Sequence, residues 1–192
     1  MTKTDRFASK PLTTEEIKKA HVGTINELNA TIILEEYNPL WATRFTELRN
    51  LIRQALPQRA VSIEHVGSTS VPGLVAKPII DISLEVPDSS MESEYVPQLE
   101  AAGFMLKIRE PEWWEHRMFK TARGDVNLHV FTKGCPEVRK MINFRDHLRS
   151  NPSDMKLYEA KKRELAAQRW QYTQNYADAK TEVIKQIFTR IG

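Results

Sequence analysis

Ile80, Ile82, Leu84 and Val86 stand at every second position and alternate with Asp81, Ser83 and Glu85. A period of two places these side chains on opposite faces of a strand, one apolar and one polar. The pattern recurs in Asp125–Phe131, where Val126, Leu128 and Val130 face one way and Asp125, Asn127 and His129 the other. Val61–Val66 and His116–Lys120 read as further strands. Such strands need a partner layer over their apolar face.

The helices that supply that layer can be read from their signals. Thr13-Thr-Glu-Glu16 is a capping box, and it opens a short helix that ends near Gly23. Asn38-Pro39 provides an N-cap and a proline for the first helical position. Behind it Trp41, Phe45, Leu48, Ile52 and Ala55 recur at helical spacing as far as Pro57. Pro97–Ala102, closed by Gly103, is a short helix with a glycine stop. Asn143–Ser150 and Asp154–Gln168 flank a turn at Asn151-Pro152, and one wide apolar stripe runs from Tyr172 through Tyr176, Ala179, Val183 and Ile187 to Ile191. Thr31–Glu36 is β-prone and reads as a strand. Together these segments predict an α+β domain with a mixed sheet, flanked by helices and followed by C-terminal helices. Residues 1–30 form a tail and a short helix, with the first ten a loose tail. Residues 31–192 form the domain, and its C-terminal helical part begins at about 137.

The chain's 192 residues suit one domain and can bury a core without staples. A composition of 41% hydrophobic and 28% charged residues excludes disordered, collagenous and low-complexity classes. The lone cysteine, Cys135, excludes a disulfide framework and suits a reducing compartment. Neither a signal-type apolar region nor a membrane-length apolar run is present, so the expectation is a soluble cytoplasmic protein with no membrane partner. A net charge of +3 is too small to argue for nucleic acid. Residues 136–192 carry 12 Lys and Arg against 7 Asp and Glu, which either helps to attract a phosphate-bearing ligand or forms a solvated helical surface.

The densest chemical signal is Glu64-His-Val-Gly-Ser-Thr-Ser-Val-Pro-Gly-Leu-Val-Ala-Lys-Pro-Ile-Ile-Asp81. A strand runs into Gly67, Ser68, Thr69 and Ser70. Glycine lets a phosphate approach the backbone, while hydroxyls and turn N–H groups donate to its oxygens. Alone, the four residues read more readily as a plain turn than as a phosphate loop. No Gly-Lys-Ser/Thr follows, so this is not a Walker loop, nor is it the dinucleotide fingerprint. Asp81 adds a carboxylate on the polar face of the next strand.

His65-Val-Gly-Ser-Thr-Ser-Val-Pro-Gly73 through Lys77-Pro-Ile-Ile-Asp81 closely resembles the GrpB-like family, a branch of the polymerase-β-type nucleotidyltransferase superfamily. The likeness continues through Tyr37-Asn-Pro-Leu-Trp41, Asn127-Leu-His-Val130, Phe144-Arg-Asp-His-Leu-Arg149, Tyr158…Lys161 and Tyr176…Lys180, and so covers nearly all of 31–190. The resemblance implies that Gly67 and Ser68 bind nucleotide phosphates. It also implies that Asp81 is the first ligand of Mg²⁺ or Mn²⁺, with two cations assisting in-line nucleotidyl transfer. That scheme wants a second carboxylate two residues on, where this chain has Ser83. Glu85 has the correct parity as a metal ligand, but four residues of strand put it about 13 Å away.

If the Asp125–Phe131 strand lies beside the Asp81 strand, Asn127 and His129 share the cleft. His129 then binds a metal or phosphate, acts as a base, or is simply a strand histidine with one hydrogen bond. His65 either orients Asp81 or a phosphate, or bonds the loop backbone. Lys77, Arg117 and Arg145 are candidate phosphate contacts or, alternatively, members of ion pairs. Arg117 alternates so as to line the cleft, and Asp146 beside Arg145 reads as its ion partner. Trp113-Trp114 either stacks on a base or anchors its loop.

Two functions follow. One is a nucleotidyltransferase-fold protein that binds a nucleoside triphosphate and transfers a nucleotidyl group to an unspecified acceptor. The other is a non-catalytic module for a nucleotide or another phosphorylated small molecule. An RNA-binding module is weaker, because no aromatic-basic interleaving is present.

Overall fold

β2 (Ile80–Val86) lies antiparallel to β1 (Ser62–Val66) on one side and parallel to β5 (Val126–Thr132) on the other. β5 continues to β4 (His116–Thr121) and β4 to β3 (Phe104–Glu110), both antiparallel, giving a five-stranded mixed sheet of order β1-β2-β5-β4-β3. The structure, a computed structural model, describes residues 11–25 and 27–191. The tail expected over the first ten residues lies outside them.

The two alternating segments set the layers. Ile80, Ile82, Leu84 and Val86 join Val126, Leu128 and Val130 in one core with Phe104, Leu106 and Phe119. This core is closed by α2 (Leu40–Ala55), through Trp41, Leu48 and Ile52, and by α3 (Val96–Ala101), through Leu99. The opposite face carries Asp81, Asn127 and His129 and turns toward the C-terminal helices: α4 (Pro136–Ser150), α5 (Pro152–Ala166), α6 (Thr173–Ala179) and α7 (Thr181–Phe188). This is the expected α+β architecture, with the mixed sheet between helices.

At the N-terminus, α1 (Thr14–Ala20) has the capping box its sequence announced, with Thr13 Oγ1 accepting from Glu16 N–H and Glu16 Oε2 accepting from Thr13 N–H at 2.8 Å. Its segment is tied to the rest of the domain: Val22 N–H donates to Lys107 O and Leu12 N–H to Asp178 Oδ2.

Three elements differ from expectation. Thr31–Glu36 forms no strand: Glu35 makes an isolated bridge with Ala76, and Ile32 and Leu34 instead pack against α5 and Tyr176. β3 is an additional strand, and its period is broken by a bulge between Leu106 and Ile108. The stripe from Tyr172 to Ile191 is split at Lys180 into α6 and α7 because its halves bury in different places. Tyr176 joins Ile32 and Leu165, whereas Val183 and Ile187 join Val71, Leu74 and Leu148.

Candidate functional site

A cleft of about 530 Å³ lies between the polar face of β2, β5 and β4, helix α1 and the C-terminal helices. Its floor follows from strand register. Asp81 pairs with Asn127 across the parallel β2–β5 ladder, and Met118 and Lys120 of β4 pair with His129 and Asn127. Asp81, Asn127, His129, His116, Met118 and Lys120 therefore share one face.

The turn after β1 is built around Asp81. Gly67 adopts φ 69° and ψ −174° and leads into a single 3₁₀ turn, Ser68–Ser70. Two of the three hydroxyls are used inside the turn. Thr69 Oγ1 donates to Ile79 O (3.2 Å) and faces His65 Nε2 at 3.0 Å, and Ser70 Oγ donates to Gly67 O at 2.6 Å. Both residues are buried, whereas Ser68 stands on the cleft wall with its side chain hydrogen-bonded to Tyr158. Because Thr69 spends its proton on Ile79, His65 Nε2–H must be the donor to Thr69.

His65 is thus a scaffold for the turn. Its ring stacks on Phe45 at 4.7 Å, and burial pushes its pKa down to about 4, so the imidazole is neutral. Arg145 is placed similarly: Nη1 donates to Glu64 at 2.8 Å and to His65 O at 3.0 Å, while Nε pairs with Asp146, as its neighbour's charge suggested. Arg149 adds two donors to Ser70 O, at 3.1 and 2.7 Å. Helix α4 so fixes the turn through backbone carbonyls.

Asp81 Oδ1 accepts from Asn127 Nδ2 at 2.8 Å and lies 3.9 Å from His129 Nε2. Burial pushes this carboxyl up, but the His129 imidazole and Asn127 amide outweigh it and hold the pKa below the ordinary value. His129 Nδ1 is 3.0 Å from His116 Nε2, and His116 Nδ1 is 2.7 Å from Glu110 Oε2. A chain of polar contacts thus runs from the sheet edge to Asp81. The His116–Glu110 extension was not foreseen, although the alternation in β4 could have revealed it.

Of the expected phosphate-binding residues, His65, Gly67, Thr69, Ser70 and Arg145 build the turn and are not on the cleft lining, and two further expected site residues lie elsewhere altogether. Arg117 does not line the cleft. His116, Met118 and Lys120 take that face, so parity turns Arg117 away, where its buried guanidinium meets Glu92 at 2.5 Å and Glu115 at 3.3 Å. Glu85 does not join Asp81 either. Its Oε1 accepts the Gly134 N–H at 2.7 Å near the other end of β2. Trp113 lines the cleft, with its ring edge-on to Phe131 at 5.7 Å.

The donor set around Asp81 does not fit two closely spaced Mg²⁺ or Mn²⁺ ions. Ser83 is buried where a second carboxylate would stand, and Asn127 stands where a third would. Among the described residues, no cluster of three or more His, Cys, Asp or Glu side chains can hold a metal. Two-metal sites are built from carboxylates, and one carboxylate beside an amide and an imidazole does not supply them.

Cations of another kind are abundant. Lys77, Lys107, Lys120, Lys162 and Lys180 all line the cleft, from five different elements or loops. Lys162 is 2% exposed, donates to Val75 O and lies 5.4 Å from the Tyr158 ring centroid. Burial, with Lys180 nearby, pushes its pKa down to about 7. Burial, with Lys120 and Lys180, pushes Lys77 down to about 8.

Residues 31–190 match the family described as GrpB protein. The chain belongs to the GrpB family. Among GrpB relatives, it is 50% identical to the UPF0157 protein BH1888 of Halalkalibacterium halodurans over 97% of this chain and 95% of that one. It is 44% identical to the UPF0157 protein SCO7215 of Streptomyces coelicolor over 83% of each. The crystal structure of the conserved protein GrpB from Enterococcus faecalis superimposes with a TM-score of 0.67 at 27% identity, covering 81% of this chain and 99% of that one. This GrpB chain has, among its described residues, no helix long and apolar enough to cross a membrane.

Proposed function

We propose that this GrpB protein binds a nucleoside triphosphate or another phosphorylated small molecule in the cleft over Asp81. The observation that carries the reading is the convergence of Ser68, Lys77 and Asp81 on one cavity wall, with the Gly67 backbone packed against the carboxylate. A glycine-serine turn followed by a strand carboxylate is the arrangement that the resemblance to polymerase-β-type nucleotidyltransferases implies. In this reading Ser68 and the turn N–H groups donate to phosphate oxygens, Lys77 supplies a point charge, and His129 lies beside Asp81. The buried Cys135 accords with a reducing, cytoplasmic setting.

Nucleotidyl transfer with a divalent metal is the finer reading. The donor count around Asp81 favours binding without it. The two are separated by calorimetric and thermal-shift titration of the four nucleoside triphosphates, with and without Mg²⁺ or Mn²⁺. Binding that weakens in Ser68→Ala and Lys77→Ala supports the site. Metal-dependent pyrophosphate release that disappears in Asp81→Asn would establish transfer. Silence toward every nucleotide, with and without metal, overturns the reading.

A further inference from the structure

We infer that the cleft takes a polyphosphate group of three or more negative charges and neutralises it with the ammonium groups of Lys77, Lys107, Lys120, Lys162 and Lys180, not with divalent cations. This inference rests on the phosphate-binding reading and specifies its ligand chemistry.

Five lysines around one cavity repel one another, and a fold gathers them only where something compensates. Ion pairing inside the protein does not. Lysine ion pairs are made by Lys140, Lys161 and Lys185, whereas among the described residues none of the five cleft lysines forms one. Two acids besides Asp81 line the cleft, and among the described residues neither ion-pairs with one of the five. Asp178 accepts from Leu12 N–H and Gln174 Nε2, and Glu137 lies 4.0 Å from Lys140.

Asp81 is left as a shared counterion, acting electrostatically on Lys77, Lys120 and Lys162 together. Even with Asp178 counted beside Asp81, and Glu137 matched to Lys140, the carboxylates that line the cleft do not balance its five lysines. The mutual repulsion is visible in the lysines themselves: Lys180 depresses both Lys77 and Lys162, and Lys107 depresses Lys120, in each case after burial. The excess positive charge matches a triphosphate-type anion, and a lone phosphate would leave much of it unneutralised. Where two-metal sites place carboxylates to hold cations, this chain has Ser83 and Asn127, and the cations are covalently part of the protein.

The sign of the Asp81 effect separates this scheme from a metal-dependent one. If lysines neutralise the ligand, Asp81 repels it, and Asp81→Asn tightens binding several-fold. If a metal bridges Asp81 to phosphate, the same variant abolishes binding.

The test is isothermal titration of the full chain with sodium tripolyphosphate, pyrophosphate and orthophosphate, in EDTA and again in Mg²⁺. Tripolyphosphate is expected to bind in EDTA at least as tightly as in Mg²⁺, and more tightly than orthophosphate. Lys120→Ala and Lys180→Ala, at partly exposed positions that leave the core intact, should each weaken it about tenfold. Arg163→Ala, on the outer face of α5, should leave it unchanged. Binding that requires Mg²⁺, or that is lost in Asp81→Asn, overturns the inference while the nucleotide-binding reading stands. Equal affinity for orthophosphate and tripolyphosphate overturns the assignment of ligand class. Failure of every phosphate and nucleotide to bind, with or without metal, overturns both.

Discussion

Gly67 and Asp81 are packed so closely that a Cβ added to Gly67 would lie 2.8 Å from the Cβ of Asp81 and 2.9 Å from its Cγ. The backbone there, φ 69° and ψ −174°, is a region that essentially only glycine occupies. Gly67→Ala therefore meets both backbone strain and a collision with the carboxylate. It should cost about 1–3 kcal/mol of stability and displace Asp81 from Asn127. Gly73→Ala is the matched control. Gly73 also has positive φ, but nothing lies within 4 Å of its added Cβ, so it should impair folding without impairing phosphate binding. Urea unfolding together with tripolyphosphate titration of both variants checks this. Equal loss of binding in the two would refute a specific role for the Gly67–Asp81 packing.

Much of this geometry was legible in the sequence because it rests on local rules. The alternation in Ile80–Val86 and Asp125–Phe131 assigned Asp81, Asn127 and His129 to one face, and the register of a parallel pair then brought them together. What remained hidden depends on distant partners. Thr31–Glu36 has strand-forming side chains, yet a strand needs a ladder, and only Glu35 finds a bridge, to Ala76. β3 was obscured because its bulge between Leu106 and Ile108 interrupts the period of two. The lysine cluster was hidden for a similar reason. Its members are separated by up to 103 positions, and no spacing rule links Lys77 to Lys180.

Arg117 tests the parity argument directly. Its side chain is 5% exposed and is paired with Glu92, which also binds Arg109 through two bonds of 2.7 and 2.6 Å. Glu92→Ala leaves a buried guanidinium with the longer Glu115 contact and the His116 carbonyl at 3.2 Å, and should destabilise the fold by about 3 kcal/mol. Phosphate affinity should stay within twofold, since these residues lie on the far side of the sheet from the cleft. The Arg109 bond, then burial opposing it and the Arg117 bond aiding it, leave Glu92 with a pKa below its ordinary value. Its contribution to stability is present above that ordinary value and is lost as acid titrates the folded-state carboxylate. A Glu92→Ala chain whose phosphate affinity collapses while its fold survives would contradict the placement.

The cleft lysines set a pH dependence of the same sense in a higher pH window. In the ligand-free protein, Lys162 titrates at about 7 and Lys77 at about 8, against 10.5 as the ordinary value. Between those limits the unfolded chain binds more protons than the folded one, so stability rises with pH. Below about pH 7 both states are protonated, and the full burden of burying the Lys162 charge is present. Each lysine can contribute up to about 1.4 kcal/mol per pH unit inside its window. Lys162→Met should flatten the difference between pH 7 and pH 9 in chemical denaturation. Identical pH profiles for wild type and Lys162→Met would sink the assignment.

The contact of His129 with His116 determines which nitrogen His129 presents to the cleft. With Glu110 ionised and His116 neutral, His116 donates Nδ1–H to Glu110, and its Nε2 lone pair accepts from His129 Nδ1–H at 3.0 Å. In that neutral state His129 turns an unprotonated Nε2 toward the cleft, whereas, against the upward push of burial, the protonated ring, donating toward Asp81 Oδ1, is the form that holds the Asp81 pKa down. Unprotonated Nε2 is an acceptor, suited to taking a proton from a hydroxyl or an ammonium group. In long-range ¹H–¹⁵N spectra, neutral His129 should show the Nδ1–H tautomer. His116→Phe keeps a flat ring against Phe131, where the imidazole stacks at 4.8 Å, but removes the acceptor. Loss of that partner is worth about 1–3 kcal/mol to the Nδ1–H tautomer, enough to make Nε2–H predominate and direct a donor at Asp81 Oδ1, now 3.9 Å away. A wild-type spectrum with the proton on Nε2 would show that the Glu110–His116 pair does not orient His129.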